Sequence, residues 1–529
     1  MRVLKDEWAR ERSALPLLAA MTLLAFACRL PLLFTGIWRD EGSTFFDVTA
    51  PTVARMLREI SVTELTPPGF FLVMRGWVTL FGTSETMLKI PAFVCGVALV
   101  PATYALARAL GPRGPALLTA GFAAFSLTAL TLSSEARAYT SCALLGAVAV
   151  TLGLRYLGPD GGWASLAAYV CAGSALVYVH YTGVVLIASF ALGCIALAPA
   201  HAVWRKLLLF EAANAIVACA IAPWLPHAAG ARHAVFLERA GGTSFIGSFI
   251  EQFGFGLPVD YMHVQYAFLF VSALVIFSVL YVGRGFGARP IEEARFVAAS
   301  IALLSGTCIE TLLSLHEQRY MFVYTPLANG LAATLCCALL APLFALRRGR
   351  ITGPAALRSV FGAALLVSVL AGTPKQARAF ERSYGGDRSG VRRLAAEALP
   401  STEGRTLVVV APDYLAPTVA YYLRDRPELT LAGIPQWNSP EHPRCCGEGW
   451  YDPHMSDALA RRIAVAASHG YATIAYVWDL GAYDEGPLRY TKTFELRERL
   501  LRTLTVVDER RYDGSKERVG LTLFRAPHK

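Results

Sequence analysis

The residues Trp38-Arg39-Asp40-Glu41-Gly42 stand directly after the first long apolar segment of the chain. Two adjacent carboxylates are costly to place beside the end of an apolar helix, where neutral polar residues would serve equally well. A carboxylate in such a place can take a proton from a hydroxyl group or bind a cation. The ordinary alternative is that Asp40 and Glu41 only begin a surface loop, and the pair alone leaves both interpretations open.

Further polar side chains stand at the ends of other apolar segments. These candidates are Glu64, Glu135, Arg137, Tyr139, His180, Tyr181, His316, Arg319 and Tyr320. Ordinary roles are open to several of them: Glu135 and Arg137 can form a snorkelling pair, and His180-Tyr181 can be an interfacial aromatic anchor. Arg319 can be a plain juxtamembrane charge. The topology derived below places all of them on one face of the membrane, and this common location favours a catalytic or binding cavity.

The composition predicts a polytopic α-helical membrane protein. Of the 529 residues, 55% are hydrophobic and 17% are charged, which excludes an ordinary soluble globular protein. The apolar residues form repeated runs of about 20, the length that a helix needs to cross the hydrocarbon. The net charge of +10 suits basic cytoplasmic loops, and no nucleic-acid partner is predicted. No cleavable signal peptide is expected, because residues 13–34 form an uninterrupted span.

The distribution of basic residues predicts the topology. Residues 1–12 are charged and precede the first span, so the positive-inside rule places the N terminus in the cytoplasm. The apolar stretch 67–82 is short, begins with two prolines and contains Arg75, so we interpret it as an interfacial or re-entrant helix. Every short basic loop then faces the cytoplasm, while Asp40 and the C terminus lie outside. The eleven predicted spans are 13–34, 87–107, 115–133, 139–157, 164–180, 181–199, 206–226, 264–283, 295–314, 320–346 and 354–372.

The composition changes after residue 372. Residues 373–529 are more polar and alternate strand and helix patterns, which predicts an extracytoplasmic α/β domain after a transmembrane module at 1–372. This segment contains no nucleotide-binding glycine motif. The adjacent Cys445 and Cys446 lack the spacing of a metal site, and no metal site is predicted. Strands are expected at 406–411, 429–434 and 471–478, with further candidates at 506–507 and 520–524, and helices at 414–424, 457–469 and 493–504.

Several short motifs carry a resemblance to a known family. They are Asp40-Glu41 after the first span, Thr66 to Trp77, Phe81 to Glu85 leading into Lys89-Ile-Pro91, Ser134 to Tyr139, His180-Tyr181 and Arg319-Tyr320. In the order and spacing of these motifs, residues 13–350 resemble the GT-C glycosyltransferases that take a sugar from a polyprenyl-phosphate carrier. The chain is similar to the protein O-mannosyltransferases and to the bacterial aminoarabinose transferases that modify lipid A.

The resemblance implies a GT-C fold and roles for several residues. Asp40 is implied to be the general base, with Glu41 as a second candidate catalytic carboxylate, and Arg319-Tyr320 match a position that holds the donor phosphate. The remaining residues at the outer helix ends become candidates for donor and acceptor binding. Relatives often carry His or Lys where this chain has Thr66, so a phosphate or metal contact made there does not carry over. A requirement for a divalent cation is left open, and the C-terminal domain matches no family domain that would identify the acceptor.

These residue types suit an inverting transfer of a sugar. A sugar on a lipid phosphate already has a good leaving group, so the departing oxygen needs charge stabilisation, which an Arg fork can supply. The acceptor hydroxyl must lose its proton, and a carboxylate within hydrogen-bond reach can take it. Attack opposite to the phosphate inverts the anomeric carbon, as in the inverting glycosidases. Glu41 and Glu135 are candidates to orient Asp40, to bind the acceptor or to bind a cation.

The sequence therefore predicts a multi-pass glycosyltransferase of the bacterial inner membrane. Its predicted partners are a polyprenyl-phosphate sugar donor, the bilayer, and an envelope glycan, lipid or protein as the acceptor. A transporter or flippase of lipid-linked sugars is one alternative, although transporters place ionisable residues near the bilayer midplane and often consist of two repeated halves. A non-catalytic glycan-binding homologue is the other, and it would not need the carboxylate of Asp40.

Cysteine labelling tests the predicted topology. In a chain without native thiols, single cysteines at positions 113 and 348 should resist a membrane-impermeant reagent added from outside, whereas a cysteine at 385 should react. The physical reason is that short basic loops remain in the cytoplasm. Labelling at 113 or 348 together with protection at 385 would contradict this topology.

Overall fold

The structure of the chain is a computed structural model, and it divides into two compact units. Unit 1 comprises Met1–Leu32, Leu65–Phe70 and Lys89–Phe380, and unit 2 comprises Leu33–Glu64, Phe71–Leu88 and Glu381–Lys529. The residues that the structure describes are 13–64, 66–159, 161–195, 204–227, 270–278, 291–313, 318–344, 386–399, 405–411, 415–433, 460–461, 463, 465, 470–480 and 487–525.

The chain is helical over most of its described residues up to 344. Apolar runs fold as helices in a bilayer because only the helix satisfies every backbone N–H and C=O group within one segment. The helices are α1 Leu15–Arg29, α2 Arg39–Val48, α3 Val53–Thr63, α4 Gly69–Phe81, α5 Glu85–Leu110, α6 Arg113–Phe125, α7 Leu127–Leu132, α8 Tyr139–Leu157, α9 Trp163–Val179, α10 Tyr181–Ile195, α11 Trp204–Ile221, α12 Ile291–Leu312, α13 Gln318–Met321 and α14 Thr325–Phe344.

The prediction of a polytopic helical membrane protein is confirmed. Among the described residues, six helical segments are long and apolar enough to cross a membrane, and α4, α9 and α10 are shorter apolar helices. The count of eleven spans stays a prediction, because the predicted span 354–372 lies outside the described residues. Whether residues 67–82 cross the bilayer also stays a prediction. The six segments are Leu15–Phe34, Glu85–Leu110, Tyr139–Leu157, Trp204–His227, Glu293–Leu312 and Arg319–Leu340.

The predicted span at 115–133 is not one continuous helix, because two helices occupy this stretch, and whether it crosses the bilayer stays a prediction. α6 ends before Ser126 and α7 begins after it. The Ser126 backbone leaves the helical conformation, and its hydroxyl accepts a hydrogen bond from the Ala129 N–H at 3.4 Å. A serine hydroxyl is a preferred partner for the unpaired N–H groups at a helix start. The local chemistry of one residue therefore breaks the apolar run.

Arg29 satisfies the carbonyl groups that this break leaves without intrahelical partners. Its guanidinium is fully buried in unit 1 and donates hydrogen bonds to the carbonyl oxygens of Ala123 and Ala124, at 3.0 and 2.9 Å. The same group donates to the Ser133 hydroxyl at 3.0 Å and to the Ala25 carbonyl oxygen. An arginine at the end of α1 thus fixes the broken segment that leads to Glu135.

The C-terminal part of unit 2 contains a five-stranded mixed sheet in the order β2-β1-β3-β5-β4. β1 is parallel to β2 and β3, and β5 is antiparallel to β3 and β4. The strands predicted near 406–411, 429–434 and 471–478 are present, and both later candidates belong to longer strands. The elements are α15 Val391–Glu397, β1 Thr406–Ala411, α16 Ala416–Leu423, β2 Leu429–Gly433, β3 Thr473–Asp479, α17 Pro487–Thr503, β4 Thr505–Tyr512 and β5 Val519–Arg525.

The interior strand β1 explains why helices cover the sheet on both sides. All six of its residues are buried, as expected for a continuous β-branched and apolar run in a parallel pair. Alternate side chains point to opposite faces. Val408 and Val410 belong to a core cluster with residues of α15 and α16, whereas Leu407 and Val409 belong to another with residues of α17.

The helix α2, which carries the two adjacent carboxylates, packs within unit 2 on α16. Phe45 and Tyr421 form an edge-to-face aromatic pair with ring centroids 5.0 Å apart. Gly42 allows the two helices to approach closely, because a Cβ atom there would lie 2.8 Å from backbone atoms of Pro417 and Thr418. The carboxylates are therefore held on the C-terminal α/β fold although they lie near the start of the chain.

Candidate functional site

The candidate residues fall into two groups, one in each unit. Unit 1 contains Glu135, Arg137, Tyr139, His180, Tyr181, Arg319 and Tyr320. Unit 2 contains Asp40, Glu41 and Glu64, and His316 lies outside the described residues. The group in unit 1 centres on three aromatic rings, and the group in unit 2 centres on the start of α2.

Three of the unit 1 residues meet in one place, which we call the ring cluster: Tyr139, His180 and Tyr320. The Tyr139 ring lies 5.8 Å from the His180 ring and 6.1 Å from the Tyr320 ring, measured between centroids. The rings of His180 and Tyr320 are 5.7 Å apart. Residues from three separate stretches of chain therefore lie close together.

The His180 imidazole presents a defined hydrogen-bond donor to the ring cluster. Its Nδ1 atom accepts from the Thr182 N–H at 3.3 Å and lies 2.9 Å from the Thr182 hydroxyl. In a neutral imidazole, one nitrogen that accepts leaves the proton on the other, so Nε2 carries it. His180 is buried, and its Nε2 atom has no hydrogen-bond partner among the described residues. A buried donor of this kind is a candidate to bind a ligand oxygen.

Positive charge surrounds the ring cluster. The Arg319 guanidinium carbon lies 5.3 Å from the centre of the Tyr320 ring, within the range of a cation–π contact. The charges of Arg137 and Arg319 both act on the His180 imidazole. The cluster thus combines phenol hydroxyls, an imidazole N–H and two guanidinium groups, which is a donor set suited to an anion.

The remaining unit 1 candidates lie close along the chain to these residues. Glu135 is fully buried in the turn between α7 and α8, where its carbonyl oxygen accepts a hydrogen bond from the Arg137 N–H at 2.7 Å. Tyr181 starts α10, and its side chain interacts with Trp224 beyond the end of α11. Tyr181 therefore packs towards another helix, while His180 faces the ring cluster.

The motif Thr66 to Phe70 also packs near the end of α9, one turn before the ring cluster residue His180. A Cβ atom at Gly69 would lie 2.6 Å from the carbonyl oxygen of Tyr178, so only glycine allows this approach. Thr66 is buried, and its hydroxyl has no hydrogen-bond partner among the described residues. The position where relatives often carry His or Lys thus holds a buried hydroxyl group.

The two adjacent carboxylates of α2 have different surroundings. The Asp40 side chain is 15% exposed, and its Oδ1 atom lies 3.3 Å from Nε of Arg39. The Glu41 side chain is fully buried. Its Oε2 atom accepts a hydrogen bond from the Trp38 N–H at 3.3 Å and lies 3.4 Å from Nη1 of Arg388. A solute can therefore reach Asp40, whereas Glu41 is committed to a buried ion pair.

A second buried carboxylate, Glu517, lies against the start of α2. Its Oε1 atom accepts a hydrogen bond from the Arg39 N–H at 2.8 Å. Burial raises the pKa of Glu517 to about 7, the charge of Arg39 opposes this rise, and Asp479 adds to it. Glu64, by contrast, is the residue that ends α3, where its N–H donates to the Ile60 carbonyl oxygen.

Some of these site residues could not be found from sequence patterns. Arg388 and Glu517 lie in an ordinary polar segment, and nothing near them in sequence indicates a contact with residues 39–41. Glu310 did carry a signal, because it is a single acidic residue inside the apolar run of α12. It is fully buried, and its carboxyl group lies beside the Tyr324 phenol.

Within the described ranges, no group of three or more His, Cys, Asp and Glu side chains is placed to hold a metal ion. The donor groups that the site does offer an anion are those of the ring cluster and its two arginines.

Comparisons with known proteins agree with the GT-C resemblance. Residues 66–227 match the family model "Dolichyl-phosphate-mannose-protein mannosyltransferase". The structure is similar to that of ArnT from Cupriavidus metallidurans in the apo state, with a TM-score of 0.56, 12% identity, and coverage of 97% of this chain and 98% of that one. The same protein bound to undecaprenyl phosphate gives a TM-score of 0.53, 13% identity and coverage of 96% and 98%.

An archaeal structure shows the same likeness. The oligosaccharyltransferase AglB from Archaeoglobus fulgidus, in complex with an inhibitory peptide and a dolichol-phosphate, gives a TM-score of 0.55 at 13% identity. The match covers 90% of this chain and 70% of AglB. No curated protein sequence matches the chain. At these identities the structural matches establish the GT-C fold, and the predicted fold resemblance is confirmed.

The close approach of α2 and α16 leads to a prediction at Gly42. Gly42→Ala should lower the free energy of unfolding by about 1–3 kcal/mol, because the new methyl group meets backbone atoms that cannot move without shifting a helix. Thermal unfolding of the purified protein in detergent would measure the change.

Gly76→Ala is the matched control, since it lies in α4 of the same unit and a Cβ atom there would meet nothing within 4 Å. Alanine at position 76 should leave the melting temperature unchanged or raise it slightly. Equal melting temperatures for the two variants would contradict the described packing of α2 on α16.

Proposed function

We propose that the chain is a membrane glycosyltransferase that moves a sugar from a polyprenyl-phosphate donor to an extracytoplasmic glycolipid, polysaccharide or protein, with inversion. The observation that carries the proposal is the unequal pair at the start of α2. Glu41 is buried against Arg388, and Asp40 keeps an accessible carboxylate. In a chain with the GT-C fold, the more exposed of the two carboxylates is the better candidate to meet an acceptor.

Asp40 is the proposed general base. As the new glycosidic bond forms, the acceptor hydroxyl becomes more acidic and its proton passes to the Asp40 carboxylate. Such a base contributes about 10²–10⁴-fold to the rate. Glu41 acts by holding the helix start, and its buried pairing argues against a second proton-transfer role.

The ring cluster with Arg319 and Arg137 is the proposed site for the donor phosphate. The phosphate oxygens can accept from the Nε2–H of His180, from the phenol hydroxyls of Tyr139 and Tyr320, and from the guanidinium groups. Charge builds up on the phosphate as the sugar leaves, so these donors stabilise the transition state more than the ground state. The similar ArnT and AglB structures hold undecaprenyl phosphate and dolichol-phosphate, respectively, and this supports a polyprenyl-phosphate donor here.

The proposed setting is the bacterial inner membrane. Eleven spans place the N terminus in the cytoplasm, and residues 373–529 with the start of α2 lie outside it. The packing of α2 on α16 supports this arrangement, because a direct contact between α2 and a helix of the α/β fold puts both on the same side of the bilayer. Glu64, Tyr181 and His316 remain candidates for donor or acceptor binding.

A comparison of neighbouring carboxylate variants tests the base. Asp40→Asn keeps the shape and the hydrogen-bonding capacity of the side chain but removes the basic electron pair. Turnover should fall about 10²-fold or more, while donor binding stays nearly unchanged. The assay is transfer from a polyprenyl-phosphate sugar to a membrane-extracted acceptor.

Glu41→Gln is the matched control at the adjacent position. It should lower the melting temperature, because Arg388 loses the charge that compensates its buried guanidinium. The folded fraction of Glu41→Gln should lose less turnover than Asp40→Asn. Near-wild-type turnover in folded, donor-bound Asp40→Asn would show that Asp40 is not the base.

Arginine variants test the phosphate site. Arg319→Ala should weaken donor binding, and Arg319→Lys should recover it only in part, since an ammonium group cannot make the bidentate contact of a guanidinium group. Binding of a polyprenyl-phosphate sugar to the purified protein measures the effect. Equal affinities of wild type and Arg319→Ala would remove Arg319 from the site.

A further inference from the structure

The start of α2 is capped only in part by its own residues, through the hydrogen bond from the Trp38 N–H to Oε2 of Glu41. The residue before the helix is Trp38, whose side chain makes no capping hydrogen bond. The first N–H groups of any helix have no intrahelical partners, and a Ser, Thr, Asp or Asn normally supplies the missing acceptor. Asp40 and Glu41 lie within this first turn, so the position of both carboxylates depends on how the helix start is held.

The C-terminal α/β fold supplies the missing acceptors. The Arg39 N–H donates to Oε1 of Glu517 at 2.8 Å, across a sequence separation of 478 residues. The Ile37 N–H donates to the Tyr422 hydroxyl at 2.8 Å. Glu517 is buried in unit 2, where solvent does not compete for this bond. The C-terminal segment therefore completes the cap that Glu41 begins.

Arg388 and Glu517 are held against each other. The Glu517 N–H donates to the Arg388 carbonyl oxygen at 3.0 Å, and the Gly390 N–H donates to the Glu517 carbonyl oxygen at 3.0 Å. Ser389 and Glu517 form a β-bridge. The segment before α15 and the turn before β5 therefore form one rigid clamp, with Arg388 and Glu517 projecting from it to α2.

The clamp binds the residues on either side of Asp40 in the sequence. Glu517 binds the backbone of Arg39, and Arg388 binds the side chain of Glu41. When residues 39 and 41 are fixed, the Asp40 side chain between them is held in one direction, because neighbouring side chains on a helix point in different directions.

We propose that Arg388 and Glu517 of the C-terminal domain are positioning residues for Asp40. Arg388 acts through the Glu41 side chain, and Glu517 acts through the Arg39 N–H. The proposal rests on the function proposed above, in which Asp40 is the base. It gives the C-terminal domain a role in the transfer itself. Loss of either clamp residue lets the first turn of α2 shift, and a misplacement of about 1 Å can cost up to about 10²-fold in rate.

Kinetics of purified full-length variants test the proposal. Arg388→Met and Glu517→Ala should each lower kcat about 10- to 100-fold while the donor KM changes little, because the donor phosphate is bound by other residues. Glu517→Gln should stay close to wild type, since the amide oxygen still accepts from the Arg39 N–H. Glu428→Ala is the control, because Glu428 is an exposed carboxylate of the same domain that pairs with Arg426.

A double-mutant cycle with Asp40 separates positioning from a general loss of folding. In the Asp40→Asn background, Arg388→Met and Glu517→Ala should have no further effect on the residual turnover, because the group that they position is already disabled. If Arg388→Met does not fold, as judged by its melting temperature, Glu517→Ala carries the test alone. The proposal would be overturned if each substitution lowered turnover by the same factor in both backgrounds. An unchanged kcat in folded Glu517→Ala would also overturn it. Wild-type turnover in Asp40→Asn would instead overturn the proposed function.

Discussion

The buried ion pair of Glu41 and Arg388 is the interaction on which the start of α2 depends. Removing two charges from water costs several kcal/mol for each ion, and their attraction offsets this cost only while both partners are present. The pair therefore ties a residue near the start of the chain to one 347 positions later. Glu41 is fully buried in this pair, whereas the neighbouring Asp40 side chain is 15% exposed, and the proposed function assigns the role of base to Asp40.

A comparable division of roles exists in unit 1. Arg29 donates hydrogen bonds to the carbonyl groups of the helix break at Ser126, whereas Arg319 lies over the Tyr320 ring beside the imidazole of His180. The buried guanidinium of Arg29 stabilises the helix break, and the guanidinium of Arg319 is half-buried and can contact a ligand. In both units, the charge with the structural role is fully buried, and the candidate for ligand contact is more exposed.

Periodicity and composition predicted the parts of the fold that local sequence controls. The apolar runs gave helices, and the Val-rich run of β1 gave a strand at 406–411. Tyr139, His180 and Tyr320 were predicted as site candidates because each stands at the end of an apolar run. The break at Ser126 depends on Arg29 from another helix, so the composition of the apolar run does not reveal the break. The contacts of Glu41 with Arg388 and of Arg39 with Glu517 join residues hundreds of positions apart, and no local pattern reports such pairs.

The most direct test of the account is whether the protein breaks the bond between sugar and lipid phosphate. Purified protein would be reconstituted in vesicles with a panel of undecaprenyl-phosphate sugars and an envelope extract as the acceptor. The account predicts release of undecaprenyl phosphate in equal amount to a glycosylated product with the inverted anomeric configuration. Movement of an intact sugar lipid across the bilayer, with no undecaprenyl phosphate released, would contradict it and indicate a flippase.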